Sequence, residues 1–296
     1  MGEEVRTDRT GERRPGERRQ AVAPPGLHTA RVLSAIIVVL MVAASAAGLW
    51  VDGLYQDDAP VAAMFRGYDL VTLVIAAPLL ALTLLPALRG SVRAQLLWAG
   101  MLAYAAYDYA LYVFGTAFND VLLLHVALFS LSVFAFGLAL ANLDAAGIAA
   151  RFAPRTPVRT ISVVLLVVGL ALGGIWVFQA LRFAVSGEAP TETLLVLPPA
   201  NTHLAYVLDL ALLVPGYVLA AVLLWRRAPW GYVLAGVLLP FSVVYQLNYM
   251  TALAFQADAG VSATAFDVQE VPIVAALAAA TVLLFTGVRP ASPVPG

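Results

Sequence analysis

Tyr104, Asp108 and Tyr112 recur every four residues with Tyr107 beside them, so a helix through this stretch carries phenol rings and a carboxyl on one side. Asp108 lies about seven residues inside the outer end of an apolar run, roughly 10 Å deep at 1.5 Å per residue. A carboxyl at that depth needs a partner or a wet cavity, because an Asp at a helix centre costs about 2.5 to 3.5 kcal/mol on insertion scales. If the following link turns near Ala117, the antiparallel neighbour brings His125 to the same level, and a clasp between Asp108 and His125 is expected. Asp209 is a second deep carboxyl, with His203 upstream and Pro215 one and a half turns downstream. Gln179 and the stretch holding Pro240, Ser242, Tyr245, Gln246, Asn248 and Tyr249 add further polar groups in outer halves of their helices. The expected ligand-binding set is Tyr104, Tyr107, Asp108, His125, Asp209, Tyr245 and Gln246, chemistry suited to a small polar or amphipathic solute.

Other chemistries find few residues. The chain has no cysteine and no lysine, which removes disulfides, thiolate ligands, lysine nucleophiles and Schiff bases. Of three histidines, His28 lies in the N-terminal tail, and His125 and His203 form neither a His-x-x-x-His nor a Glu-x-x-His pair, so no metal or cofactor is expected. A phosphate-binding glycine loop and a Gly-x-Ser-x-Gly elbow are both missing. Nucleic-acid binding has no support, since the net charge of -1 hides two signs segregated along the chain. The remaining acids have structural readings: Asp267 and Glu270 as a capping box, Asn119 and Asp120 at a helix N-terminus, and Arg66 paired with Asp69 one turn away.

The elements that must position these residues are membrane helices. Hydrophobic residues make up 61% of the 296 and mean hydropathy is +0.87. A hydrocarbon layer of roughly 30 Å needs about 20 apolar residues as a helix, and open sheet edges cannot be satisfied there. Eight runs qualify, at 31–52, 68–88, 94–115, 120–141, 160–181, 204–225, 231–253 and 270–288, giving an all-α polytopic bundle with both termini on one side. Fifteen of the 17 basic residues fall in the termini and the links that share their side, leaving Arg66 and Arg182 opposite. By the positive-inside rule both termini are cytoplasmic and the protein sits in the plasma membrane with the lipid bilayer as its partner. Trp50 and Trp176 near outer helix ends, and Trp98, Trp225 and Trp230 near inner ones, suit the headgroup layer.

Residues 1–27 mix Arg, Glu, Gly and Pro with almost nothing to bury and read as a disordered cytoplasmic tail ahead of a membrane domain at 28–289; 290–296 form a short proline-rich tail. Ala44-Ser45-Ala46 imitates a signal-peptidase site, but the apolar run is longer than a signal-peptide core and reads as a spanning helix.

Two parts of the membrane region look alike. Asp69, Pro78, Arg89 with Arg93, Ala99-Gly100 and Tyr107-Asp108 are echoed by Asp209, Pro215, Arg226-Arg227, Ala235-Gly236 and Tyr245-Gln246, at offsets near half the region. The expectation is a parallel 4+4 repeat about an axis along the membrane normal. The stretches Arg66-Gly67-Tyr68-Asp69-Leu70-Val71-Thr72-Leu73, Tyr104 to Tyr112 leading into Gly115 and Phe118-Asn119, Leu208-Asp209-Leu210, and Arg226-Arg227-Ala228-Pro229-Trp230-Gly231-Tyr232 resemble a group of multi-pass bacterial integral membrane proteins of actinobacterial type. That resemblance covers the second to seventh helices and implies no activity, substrate or cofactor. His125 and His203 are not part of its pattern. Three readings stand: a solute-binding or transport pocket open to the extracytoplasmic side, a membrane-embedded metal or haem enzyme, and a non-catalytic scaffold whose polar cluster locks helix packing.

Overall fold

A computed structural model describes residues 25–188 and 204–289, and the fold over them is helical. The helices are α1 Pro25–Trp50, α2 Ala59–Leu88, α3 Val92–Gly115, α4 Leu122–Asn142, the short α5 Ala145–Ala150, α6 Val158–Ser186, α7 Leu204–Trp225, α8 Pro229–Asp258 and α9 Glu270–Thr286. Six of them, α1, α2, α4, α6, α7 and α8, are long and apolar enough to cross a membrane. The polar network residues lower the hydropathy of α3, and α9 has only 17 residues. Large apolar side chains such as Val39, Val74, Leu82, Val167, Phe178 and Val282 are more than half exposed around the bundle. Water would oppose such a surface and lipid accepts it, so the chain is an integral membrane protein in contact with the bilayer.

Each expected span falls on one of these helices, and the differences lie at the ends. α2 begins at Ala59, nine residues before the expected start, because Pro60 and Arg66 interrupt the apolar run without interrupting the helix. Pro60 occupies the first turn, where its missing N–H removes no bond. α1 starts at Pro25 and so takes in part of the expected tail; residues 1–24 and 290–296 lie outside the described residues. The helix continues through Ala44 and Ser45, both buried in the bundle, which fits a spanning segment.

α2 and α7 each contain one wide turn. Residues Thr72–Ala76 and Asp209–Leu213 are π-helical, closed by bonds from the Ala77 amide to the Thr72 carbonyl and from the Val214 amide to the Asp209 carbonyl. Each is followed by a proline, Pro78 or Pro215. A proline ring collides with the carbonyl four residues back, here that of Val74 or Ala211, and has no N–H to offer it. Widening the preceding turn moves that carbonyl aside, so helical hydrogen bonding continues past the proline in both.

Packing places α3 and α8 at the centre. α8 is 61% buried over its apolar window, against 28% for α4 and α6. α3 packs on α2, α4 and α8; α8 also packs on α2, α7 and α9; α1 lies against α4 and α2, and α6 against α7 and α9. Close approaches fall at glycines. A Cβ at Gly67 would stand 2.9 Å from the Ala252 backbone, and one at Gly100 would stand 2.8 Å from the Val237 carbonyl oxygen.

The links do more than signal topology. At the arginine-bearing end Arg93 donates to the Phe285 and Val288 carbonyls at 2.9 and 2.8 Å, tying the start of α3 to the end of α9. Arg151 donates to Arg289 O at 2.9 Å and Arg227 to Pro154 O at 3.1 Å. At the opposite end Arg66 donates to Leu49 O at 3.2 Å, and the Ala117 amide donates to Asp57 Oδ1 at 2.8 Å. Burial pushes the Asp57 carboxyl above its ordinary range, opposed by that amide bond.

Candidate functional site

Three carboxyl groups, Asp69, Asp108 and Asp209, are buried inside the bundle. Each is held by neutral donors from other segments of the chain.

Asp108 sits in a ring of four side chains. Asn248 Nδ2 of α8 donates to Asp108 Oδ1 at 2.9 Å, and Thr72 Oγ1 of α2 lies 3.5 Å from Oδ2. The Tyr104 hydroxyl donates to Asn248 Oδ1 at 3.1 Å and shares a 2.9 Å hydrogen bond with Thr72. The ring ties α2, α3 and α8 together. Thr72 joins it as the first residue of the first wide turn.

Asp209 opens the second wide turn and ties α7 to α3 and α6. The Tyr107 hydroxyl of α3 donates to Oδ1, and Trp176 Nε1 of α6 donates to Oδ2 at 2.8 Å. Tyr107 also lies 3.4 Å from the Tyr245 hydroxyl of α8, their rings edge to face at 5.1 Å. Trp176 stacks on Tyr206 at 4.0 Å, which fixes the indole that points at the carboxyl.

Asp69 accepts from Tyr55 at 2.6 Å and from Tyr112 at 3.0 Å. Gly48 of α1 closes this site, because a Cβ there would fall 1.8 Å from Asp69 Oδ2. Asp69 lies ten residues inside α2, about 15 Å along the axis. The expected pair with Arg66 does not form.

Of the expected binding set, Tyr104, Tyr107, Asp108, Asp209 and Tyr245 are brought together at the meeting of α2, α3, α7 and α8. His125 and Gln246 are not. His125 is fully buried, but neither ring nitrogen has a hydrogen-bond partner, and its ring packs against Tyr112 at 4.7 Å and Tyr109 at 5.9 Å. The expected clasp with Asp108 therefore fails, although both residues are buried in adjacent helices. Successive helical residues turn by about 100°, so Tyr109 faces α4 while Asp108 faces α8. The same rotation takes Gln246 away from Tyr245, and its Nε2 donates to Glu270 Oε2 of α9 at 2.5 Å. Glu270 is thus no capping-box partner; Asp267 Oδ1 accepts from the Gln269 amide at 2.9 Å instead. Asn119 does serve the start of α4, accepting from the Val121 amide at 3.1 Å.

Sequence reasoning misses Thr72, Tyr55 and Trp176 as site residues. Trp176 reads as a headgroup anchor but, half-buried, donates to Asp209, and Trp98 is buried, donating to Ser34 Oγ at 2.9 Å. The signal that finds Thr72 is its spacing: Thr72 and Asp209 are 137 residues apart, and so are Pro78 and Pro215. His203 and the link 189–203 lie outside the described residues.

Among the described residues no positive side chain enters the network. Among them too the one ion pair joins Arg182 and Glu188 at 3.8 Å, both exposed, and no three His, Asp or Glu residues converge as metal ligands. The arrangement can offer carboxyl and hydroxyl oxygens to a cationic group. Compared with known protein families, curated proteins and solved structures, the chain matches none, so its function is read from this network alone.

Proposed function

We propose that this chain is an eight-span protein of the plasma membrane with both termini cytoplasmic, which binds a small cationic, polar or amphipathic solute for passage across the bilayer. Asp108 and Asp209 are its charge acceptors. The observation that carries this reading is that, among the described residues, the buried carboxyls meet only hydroxyl, amide and indole donors. A clasp that only locks packing works with neutral pairs, whereas each intramembrane acid adds about 2.5 to 3.5 kcal/mol of insertion cost. An acid kept without a cationic side chain has its complement in a species that arrives from outside.

The helices around the carboxyls support movement as well as binding. Wide turns at Thr72 and Asp209 interrupt α2 and α7 beside the carboxyls, and such turns concentrate at functional sites. The 137-residue spacing and the packing of α2 on α8 opposite the Tyr107 to Asp209 bond between α3 and α7 support a parallel repeat of α1–α4 and α6–α9. Two such halves rocking about the α3/α8 centre would open the network from either side.

The closed ring of Thr72, Tyr104, Asp108 and Asn248 favours a second reading, a scaffold whose polar cluster fixes helix packing. Thermal unfolding in detergent separates the two. Methylguanidine, ethanolamine and choline at saturating concentration are expected to raise the midpoint of the wild type, with about 2.7 kcal/mol gained at a hundredfold excess over Kd. In Asp108→Asn/Asp209→Asn that response should vanish while the protein stays folded. A response that survives the double substitution, or one seen with neutral and anionic solutes alone, supports the scaffold and ends the cationic reading.

The orientation is tested separately. Because the chain has no cysteine, single reporters are unambiguous. Ser186→Cys should react with an impermeant thiol reagent in intact cells and Arg89→Cys only after permeabilisation; the reverse would invert the topology.

A further inference from the structure

Away from the network, a groove runs between α6 and α7 at the arginine-bearing end of the bundle. It encloses about 150 Å³ and is lined by Ser162, Val163, Leu166, Ala221, Val222, Trp225 and Arg226. Its floor is apolar, as a trough facing lipid would be. Its mouth is not. Arg226 borders it directly, and Arg159, one helical turn before Val163, holds its guanidinium 5.7 Å over the Trp225 ring. Two cations thus flank one indole, with neither arginine engaged by a carboxylate among the described residues. Among those residues Asp144 is the one acid in the links at this end. Inside the lining, the Ser162 hydroxyl is buried without a hydrogen-bond partner, in a residue only 2% exposed.

We propose that this groove is a binding site for one anionic phospholipid. The trough of Val163, Leu166, Ala221 and Val222 takes the upper part of an acyl chain. The phosphate lies between Arg159 and Arg226, whose charge it complements. Trp225 sits at the boundary, where an indole accepts both apolar and polar neighbours. Basic pockets between membrane helices at the leaflet surface hold anionic headgroups in this way, because the charges act where the dielectric is already falling. The phosphatidylcholine of a neutral bilayer offers the same chains but carries a compensating cation that the two arginines oppose.

The test uses the purified full chain in detergent, with phosphatidylglycerol or phosphatidylcholine of identical acyl composition, read by native mass spectrometry and by thermal midpoint. Phosphatidylglycerol is expected to be retained preferentially and to raise the midpoint. Arg159→Gln and Arg226→Gln should each weaken that preference about fivefold. Val163→Trp fills the trough from its half-exposed side, leaves both arginines in place, and should abolish retention without lowering the lipid-free midpoint. Equal retention of the two lipids overturns the proposal. So does a phosphatidylglycerol preference unchanged in Arg159→Gln/Arg226→Gln, which would put the lipid elsewhere, or full competition by inorganic phosphate, which would make the site one for free anions.

Discussion

Gly231→Ala is expected to yield little or no folded protein. Gly231 lies in the first turn of α8, where the link from α7 is only three residues long and Arg227 adopts a left-handed backbone with φ of 54°. The Ala228 amide donates to Leu223 O at 2.9 Å and the Gly231 amide to Ala228 O at 2.9 Å, which folds α8 directly back over the end of α7. A Cβ at position 231 would stand 2.3 Å from Leu224 N, 2.4 Å from Leu223 C and 2.6 Å from Leu224 Cα. All three are backbone atoms of a hydrogen-bonded helix end, so neither side can give way. Overpacking in cores costs about 1 to 3 kcal/mol when side chains can shift; with backbone on both sides the cost should exceed about 3 kcal/mol. Gly174→Ala is the control. Nothing lies within 4 Å of a Cβ there, so the same exchange should be neutral or raise stability by about 0.5 to 1 kcal/mol through helix propensity. Size-exclusion profiles and thermal midpoints of the two variants in one detergent measure the difference. A well-folded Gly231→Ala protein would mean that the α7–α8 hairpin is not packed this closely.

Asp209→Leu should lower stability by about 2 kcal/mol, and Asp209→Asn by much less. The carboxyl takes one bond from the buried Tyr107 and one from the half-buried Trp176, and leucine leaves both donors without it. A stranded buried donor costs about 1 to 3 kcal/mol in water-soluble cores, and interhelical terms measured in membranes lie nearer 1 kcal/mol. Asparagine keeps most of the pattern. Its carbonyl can accept from the indole while its amide donates to the Tyr107 oxygen, and that hydroxyl then donates to Tyr245, 3.4 Å away. Tyr107 can rotate its proton; Trp176 cannot. The indole should therefore dominate the loss, and Trp176→Phe/Asp209→Leu should cost less than the sum of its two single changes. Additive losses would separate Trp176 from Asp209.

The carboxyls show where reading a chain by itself stops. Asp108 and Asp209 are identifiable as deep acids because helix rise converts sequence position into depth, and the structure buries both. Partners are another matter. Depth alone pairs Asp108 with His125, whereas a rotation of about 100° per residue decides which neighbour a side chain meets, and α3 meets α4 through Tyr109 and α8 through Asp108. Asp69 is further hidden by the start of α2. With Pro60 and Arg66 read as a break, it looks like a surface acid beside an arginine, and only the extra turns from Ala59 carry it inside.

What the sequence determined by itself was the helical, membrane-embedded class and the places of its helices. That follows from one requirement, that every backbone N–H and C=O in hydrocarbon be satisfied within its own segment, so apolar run length suffices. The tertiary structure decided everything that depends on which faces oppose. It chose Asn248 and Thr72 for Asp108 and Trp176 for Asp209, set α3 and α8 at the centre, and turned Arg93, Arg151 and Arg227 onto the carbonyls of other segments. It also placed a wide turn before Pro78 and Pro215, where the sequence shows only the prolines. The physical reason is that a spanning helix is stable whatever it touches, while its contacts form between segments far apart in the chain, and helical periodicity marks the stripes of one helix without naming the helix they will meet.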